Sequence, residues 1–281
     1  RRMSALAELG RGALEKMGVE AGDPVAYRLA LGEATVAMNP LLGRRVALEF
    51  AGTIHCVACG RPTRKSFEQG HCYPCFRRLA SCDRCVKSPE LCHYHEGTCR
   101  EPAWGERNCM TDHVVYLANS TGVKVGITRA SQVPVRWIDQ GAVAAIPFAR
   151  TATRRQAGLL EVLLKEHVTD RTQWQRLLRG DPEPVDLAAV RAELLARCAG
   201  GIAALQAEFG VQAIRPVDDA AAQHFRYPVE AWPAKVRALD LEKLGRVEGE
   251  LQGLKGQYLL LSSGVLNVRK YTAYDVVLSA A

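Results

Sequence analysis

Val114-Val-Tyr-Leu-Ala-Asn-Ser-Thr-Gly-Val-Lys-Val-Gly-Ile-Thr128 sets two short runs of strand-forming residues around a turn. Residues 114–117 read as one strand, Asn119-Ser-Thr-Gly122 as the turn and residues 123–128 as the second strand, a β-hairpin. The pattern continues beyond it. Val135-Arg-Trp-Ile138 suggests a helix with Ser131 near its N-cap, and residues 142–149 form an apolar run suited to a third, buried strand. A second helix is expected over 153–168, with Ala157, Leu160, Leu164 and Val168 as its apolar stripe. Glu161 falls inside that stripe. A carboxylate turned toward a sheet is costly unless it meets a cation, a metal or hydrogen-bond donors. The plain alternative is a structural bridge from Glu161 to Arg136 or Arg155.

Immediately upstream the chain concentrates thiols: nine of its ten cysteines lie between positions 56 and 109. Cys56-Val-Ala-Cys59 is followed, after twelve residues, by Cys72-Tyr-Pro-Cys75. Two such short turns each place both sulfurs on one side, so the four thiolates can close a tetrahedron around one Zn²⁺. Gly60, Pro62 and Gly70 supply the turn chemistry of the intervening loop. The competing reading is a pair of disulfides, which the absence of a recognisable secretory signal disfavours. Cys82 and Cys85 open a second set that continues through Cys92, Cys99 and Cys109, with His93, His95 and His113 among them. Cys82 and Cys85 are expected to share a metal, a second structural zinc being the first choice, with the remaining ligands open. Four thiolates there could also hold an iron–sulfur cluster. Cysteines rank above His95 as ligands, and Cys198, alone in an apolar stretch, reads as a small core residue.

With 48% hydrophobic and 24% charged residues the 281-residue chain has an ordinary globular composition. No uninterrupted apolar run reaches eighteen residues, so no transmembrane helix is expected. The opening segment Arg1-Arg-Met-Ser-Ala-Leu-Ala-Glu-Leu-Gly10 begins basic and then takes on an acid and glycine, so no signal peptide is expected and a cytoplasmic location follows. A net charge of +7 suits a polyanionic partner such as DNA or RNA. Yet Arg61, Arg64, Lys65, Arg77, Arg78, Arg154 and Arg155 are spread along the chain, and 6% aromatic content offers no obvious base-stacking platform.

On the flanks, residues 4–38 read as a helix followed by mixed structure, since Ala5, Leu6, Leu9, Leu14 and Met17 recur at loosely helical spacing before Gly18. Residues 44–54 alternate as a strand running into the first cysteine pair. Asp181-Pro-Glu-Pro184 is a break, and residues 186–209 read as one long, largely buried helix. Four short strands are expected over 246–251, 257–262, 265–270 and 275–279. They would form an antiparallel sheet or partial barrel that the strand at 45–54 completes. Lys255, Arg269 and Lys270 could touch phosphate there or merely face water.

The order hairpin, helix, strand, helix, with an arginine on the first helix and a glutamate on the second, resembles the GIY-YIG nuclease superfamily over residues 113–178. Val114-Val-Tyr116 matches the first motif segment and Lys124-Val-Gly126 the second; Arg136 stands ten residues after Gly126, and Glu161 matches the metal-binding glutamate. The resemblance implies Tyr116, Lys124, Arg136 and Glu161 as catalytic residues, with Mg²⁺ or Mn²⁺ at Glu161 and phosphodiester cleavage as the reaction. The chain departs from the pattern where the first motif lacks its glycine and where Lys124 replaces the name-giving tyrosine. Further segments are similar to an uncharacterised bacterial and archaeal family built on a numbered domain of unknown function (2797). These are Cys72-Tyr-Pro-Cys-Phe76, Gly97-Thr-Cys-Arg100, Trp104-Gly105, Lys124-Val-Gly-Ile-Thr128, Arg136-Trp-Ile-Asp-Gln-Gly141 and Lys255-Gly-Gln-Tyr258.

The expected fold class is therefore α+β. Residues 1–54 would carry an N-terminal helix and strand, 55–112 a cysteine-rich zinc-binding region, 113–180 a small GIY-YIG-like β-β-α-β-α domain, and 181–281 a helix and an antiparallel β-sheet. The expected function is a zinc-containing nucleic-acid-binding protein with a divalent-metal-dependent nuclease domain. Two alternatives stand beside it: a non-catalytic RNA- or DNA-binding scaffold that keeps the nuclease-like fold, and a protein–protein adaptor in which both metals only hold structure. No membrane partner is expected, and the residues name no protein partner.

Overall fold

A computed structural model describes residues 6–168 and 173–281. The first strands are β1 (Ala7–Ala13), β2 (Gly18–Glu20), β3 (Ala26–Leu31) and β4 (Ala34–Ala37), followed by the long β5 (Arg45–His55) and the short β6 (Pro62–Thr63). Two short helices, α1 (Tyr73–Arg78) and α2 (Pro102–Asn108), punctuate a cysteine-rich stretch otherwise made of single 3₁₀ turns. The central unit runs β7 (His113–Asn119), β8 (Val123–Arg129), α3 (Val135–Asp139), β9 (Ala144–Thr151) and α4 (Arg154–Lys165). Next come α5 (Trp174–Leu177), α6 (Leu187–Arg197) and α7 (Ala199–Phe209), then β10 (Ile214–Pro216) and β11 (Gln223–His224). The chain ends with α8 (Leu241–Leu244) and β12 (Arg246–Lys255), β13 (Tyr258–Leu261), β14 (Gly264–Asn267) and β15 (Tyr274–Ala280). No helix among the described residues is long and apolar enough to cross a membrane.

The fold is mixed α+β with antiparallel sheets. One sheet has the order β1-β15-β5-β12-β13-β14 with β6 added to β5, a second the order β10-β9-β7-β8 with β11 also on β9, and β2-β3-β4 form a third. Strand β7, inside the second sheet between β9 and β8, is buried along its whole length. Because side chains alternate along a strand, Val115 and Leu117 join the core beneath α4, α6 and α7. Val114, Tyr116 and Ala118 face the opposite way, into the core shared with Trp137 and the large sheet. Helix α4 starts on a reciprocal cap: Thr153 Oγ1 accepts from the Gln156 amide at 3.3 Å, and Gln156 Oε1 accepts from the Thr153 amide at 2.9 Å.

The hairpin is found where the spacing places it, in register Tyr116 opposite Gly126, and the third strand and second helix follow. The C-terminal strands form an antiparallel sheet with β5 inserted between β15 and β12. Three expectations are corrected. Residues 7–13 are strand, not helix, and Ser4 and Ala5 of that reading lie outside the described residues. Gly10 and Gly12 weaken a helix by about 1 kcal/mol each, and Gly12 suits a close crossing: a Cβ there would meet the Gly32 backbone nitrogen at 2.8 Å. Leu14 and Met17 are fully buried all the same, so their apolar character was read correctly and their period was not. The long helix is two, broken at Cys198, which lets Gly201 of α7 lie against Leu163 of α4. Helix α3 starts at Val135 behind Pro134 rather than at Ser131, which sits in a 3₁₀ turn, because a residue ahead of proline disfavours the helical region.

Candidate functional site

Strand β5 delivers Cys56 directly from the large sheet into a tight turn. The Gly60 amide donates to the Cys56 carbonyl at 2.8 Å, and Gly60 takes the left-handed conformation that glycine tolerates. On the other side Cys72 is the N-cap of α1, so Cys75 lies in that helix's first turn. The sulfurs of Cys56, Cys59, Cys72 and Cys75 all lie within 4.8 Å of one another. Those of Cys59 and Cys72 are 3.8 Å apart, which is about the edge of a tetrahedron with metal–sulfur bonds of about 2.3 Å. A disulfide would need about 2.05 Å, and all ten cysteines are free thiols. Burial opposes ionisation of Cys56, but the amides of Cys72, Ala58 and Cys59 directed at its sulfur bring its pKa down to about 6. Amide donors around a clustered, largely buried tetrad stabilise thiolates, and these four cysteines could hold a metal ion such as zinc.

The second set is less regular. Asp83, Cys85 and His93 form the other group of potential metal ligands within 4.8 Å among the described residues. Asp83 is also engaged by Arg100 Nε at 2.8 Å and His93 Nε2 at 3.5 Å. The Cys85 thiol hydrogen-bonds Cys92, which raises the pKa of the first and lowers that of the second to about 6. Cys109 sits within electrostatic reach of Cys85, Cys92 and Cys99. Cys82 is turned elsewhere: its sulfur lies 3.9 Å from Ser81 Oγ, and its charged neighbours are Glu68, Arg100 and Cys56. His95 is exposed beside Glu96, and His113 is buried with Nδ1 2.7 Å from the Thr111 carbonyl.

The hairpin, α3 and α4 converge on one place. Gly126 lies across from Tyr116, and a Cβ at position 126 would stand 2.6 Å from the Tyr116 hydroxyl, so the ring covers a spot only glycine leaves open. The hydroxyl is 2.7 Å from the Gln140 side-chain amide. With the amide nitrogen turned to that hydroxyl, the amide oxygen accepts from Arg136 Nε and Nη2, both at 3.3 Å. Burial pushes the Tyr116 pKa up to about 12, with Arg136 opposing and Glu161 adding to the rise. Glu161, mostly buried, pairs with Lys165 at 3.5 Å, while Arg155 lies over the Phe209 ring.

Lys124, Gly126, Arg136, Gln140 and Glu161 line a cavity of about 1050 Å³. Its other walls come from the cysteine-rich stretch, through Arg84 and Arg100, and from both ends of the chain, through Lys16 and Arg269. Ten lysines and arginines line it against four carboxylates. Each carboxylate already has a cation on the same wall: Glu68 with Lys87, Asp83 with Arg100, Asp139 with Lys16 and Glu161 with Lys165. Arg129, Arg154 and Arg269 donate instead to neutral oxygens of Asn108, Val86 and Gln69. The surplus is cationic and partly desolvated, which suits a polyanion.

Sequence reasoning did not single out Gln140, Arg84 or Arg100, and it offered Arg269 only as a C-terminal cation that could touch phosphate or face water. Gln140 stands four residues after Arg136, a spacing that puts both on one helical face and could have been noticed. Arg84, Arg100 and Arg269 reach the cavity only through tertiary folding. A family model described as a protein of unknown function, DUF2797, matches residues 43–276, and the chain belongs to that family. No curated protein and no solved structure matches it.

Proposed function

We propose that this member of the DUF2797 family is a divalent-metal-dependent phosphodiesterase that acts on nucleic acid, with zinc holding its cysteine-rich wall. The observation that carries this reading is the meeting of Arg136, Gln140, Glu161 and Lys124 in a cavity whose remaining charge is strongly cationic. The order β7-β8-α3-β9-α4 also agrees with the GIY-YIG-like arrangement that the motif spacing implies. In this mechanism Arg136 and Lys124 bind the non-bridging oxygens of the scissile phosphate and oppose the charge that grows there. Tyr116 is neutral at ordinary pH, and through Gln140 it fixes the plane of the Arg136 guanidinium. The Glu161 carboxylate, set in the cavity wall, suits a Mg²⁺ or Mn²⁺ ion of the kind held by one carboxylate together with substrate phosphate. Such an ion would supply further positive charge to the phosphate.

Cys56, Cys59, Cys72 and Cys75 hold one zinc in this reading, and Cys85 with its hydrogen-bonded neighbour Cys92 anchors a second, whose remaining ligands are drawn from Asp83, His93, Cys99 and Cys109. Neither zinc is needed for the chemistry. Purified protein incubated with labelled single- and double-stranded DNA and RNA, with and without Mn²⁺, tests the assignment. Glu161→Gln is expected to lower metal-dependent cleavage by about a hundredfold or more, with zinc content and folding unchanged. Undiminished cleavage by that variant would sink it. Zinc and iron measured on the same sample decide the metals, and two zincs per chain without iron is the expected result.

A second reading has its own support. Tyr116 is fully buried, and a lysine occupies the position of the second motif tyrosine. Both features suit a scaffold that binds nucleic acid without cleaving it, whose signature is salt-sensitive binding with no turnover.

A further inference from the structure

The low aromatic content of the chain gave no sign of a base-stacking surface, yet three aromatics fall within ten residues of the cysteine-rich region and meet in space. Phe67 and Phe76 stack at 5.6 Å between ring centroids with 20° between their planes. Tyr73 leans on both, at 5.4 Å from Phe67 and 6.4 Å from Phe76. The tyrosine is the outermost of the three, with 52% of its surface exposed, although Pro74 and the buried Cys72 and Cys75 flank it. Packing on each other accounts for Phe67 and Phe76, both half-buried, but not for the exposure of Tyr73.

Charge surrounds this ladder. Arg77 and Arg78 follow on α1 and are exposed, as are Arg64 and Lys65 on the other side. Lys65 Nζ lies 5.4 Å from the Phe67 centroid. Among the described residues no ion pair involves Arg64, Arg77 or Arg78. Phe76 also lines the cationic cavity, together with Arg136 and Glu161, so the aromatic ladder continues into the proposed site of cleavage.

We infer that the Phe67–Tyr73–Phe76 ladder is a stacking platform for unpaired bases, which leads a single-stranded segment of nucleic acid into the cavity. This rests on the nucleic-acid reading above and names the form of its substrate. Aromatic faces bracketed by arginines recognise exposed bases and backbone phosphate together, and they tolerate any base sequence. Bases paired within a duplex offer no free face.

The test is a binding measurement without divalent metal, in the full-length Glu161→Gln protein, so that no cleavage intervenes. Fluorescently labelled oligo-dT, oligo-U and a hairpin duplex are titrated with this protein and with the same protein carrying Tyr73→Ala, Tyr73→Trp or Arg77→Gln with Arg78→Gln. The single strands are expected to bind at least tenfold more tightly than the duplex, and comparison of oligo-dT with oligo-U reports the sugar. Tyr73→Ala is expected to lose about tenfold for single strands and nothing for the duplex. Tyr73→Trp retains the affinity, and the double arginine variant weakens both. Zinc content checks that the module remains folded. Single-strand affinity unchanged in Tyr73→Ala overturns the inference, as does a preference for the duplex. Displacement of oligo-dT by polyglutamate at equal charge concentration also overturns it, in favour of an acidic protein partner. None of these readouts depends on turnover. Cleavage that survives Glu161→Gln removes only the catalytic reading, and indifference to Tyr73 removes only the platform.

Discussion

His113 opens β7 with its ring wholly buried. Its Nδ1–H donates to the Thr111 carbonyl, and Nε2 has no partner. Burial drives its pKa down from 6.5 to about 4, and the charges of Arg154 and Arg129 oppose protonation further. Between those two values the unfolded chain binds a proton that the folded chain refuses. Stability is therefore complete above about pH 6.5 and falls as pH drops through 4, by up to about 3 kcal/mol. His113→Gln is expected to lose markedly less stability than the parent protein when urea unfolding is compared at about pH 7 and about pH 4.5; equal losses would assign the acid sensitivity to other groups. Gly126 makes a second point at this scale. Gly126→Ala would force the Tyr116 ring from its seat, at a cost of about 1–3 kcal/mol, and disturb the Gln140–Arg136 relay, which a lowered unfolding midpoint would show, joined on the proposed function by lowered turnover. That Tyr116 and Lys124 sit on a hairpin and Arg136 and Glu161 on two helices was legible, because hydrophobic patterning along such elements is local. Tyr116's burial was not, since it depends on a large sheet built mostly from residues more than a hundred positions away.

Among the elements, the contact between α4 and the cysteine-rich stretch decides whether the cavity exists. Gly158 on α4 lies so close to a 3₁₀ turn that a Cβ would stand 2.6 Å from the Glu90 nitrogen and 2.7 Å from Pro89 Cβ. Two effects of Gly158→Ala oppose each other. Alanine favours the helix by about 1 kcal/mol, while the clash is with backbone and a proline ring, neither of which swings aside, at about 1–3 kcal/mol. The clash should win or nearly cancel the gain, and on the proposed function cleavage should fall because Arg84 and Arg100 move away from Glu161. A variant more stable by the full helix increment and fully active would mean that the two elements are not held together. Metal removal would act on the same wall: if the tetrad holds zinc as proposed, Cys72→Ser should cost one zinc per chain and expose the Cys56–Cys75 module to proteolysis. Elements with strict periodicity, such as β7, β8 and α4, were readable from the residues. The first strand was not, because five spaced apolar residues fit a helix until Gly10 and Gly12 are weighed. The break at Cys198 was equally hidden, since it serves packing of Gly201 on Leu163.

At the scale of the molecule, the cavity is framed by segments from across the chain. Asp139, one turn after Arg136, binds Lys16 Nζ at 2.6 Å and Gln257 Nε2 at 2.9 Å, and Gln257 also holds both the amide and carbonyl of Met17. The start of the chain and its C-terminal sheet thus clamp α3 from behind. On the far rim, Arg269 donates to Gln69, which precedes the Cys72–Cys75 pair in the chain. Composition gave the net charge of +7, but only this closure gathers ten cations around one space. Nucleic acid bound there, as proposed, would release counterions. If the cavity neutralises about three phosphates of a single strand, the slope of log K against log salt is about −2, and affinity falls about twentyfold between about 50 and 200 mM. Titrating the Glu161→Gln protein with oligo-dT across that range measures the slope. Arg269→Gln, which removes one rim charge without touching Arg136 or Glu161, should flatten it by roughly 0.7. A salt-independent affinity would mean that the gathered cations serve the fold and meet no phosphate. A steep slope indifferent to Arg269 would place the phosphates on the outer arginines of α1 rather than inside the cavity.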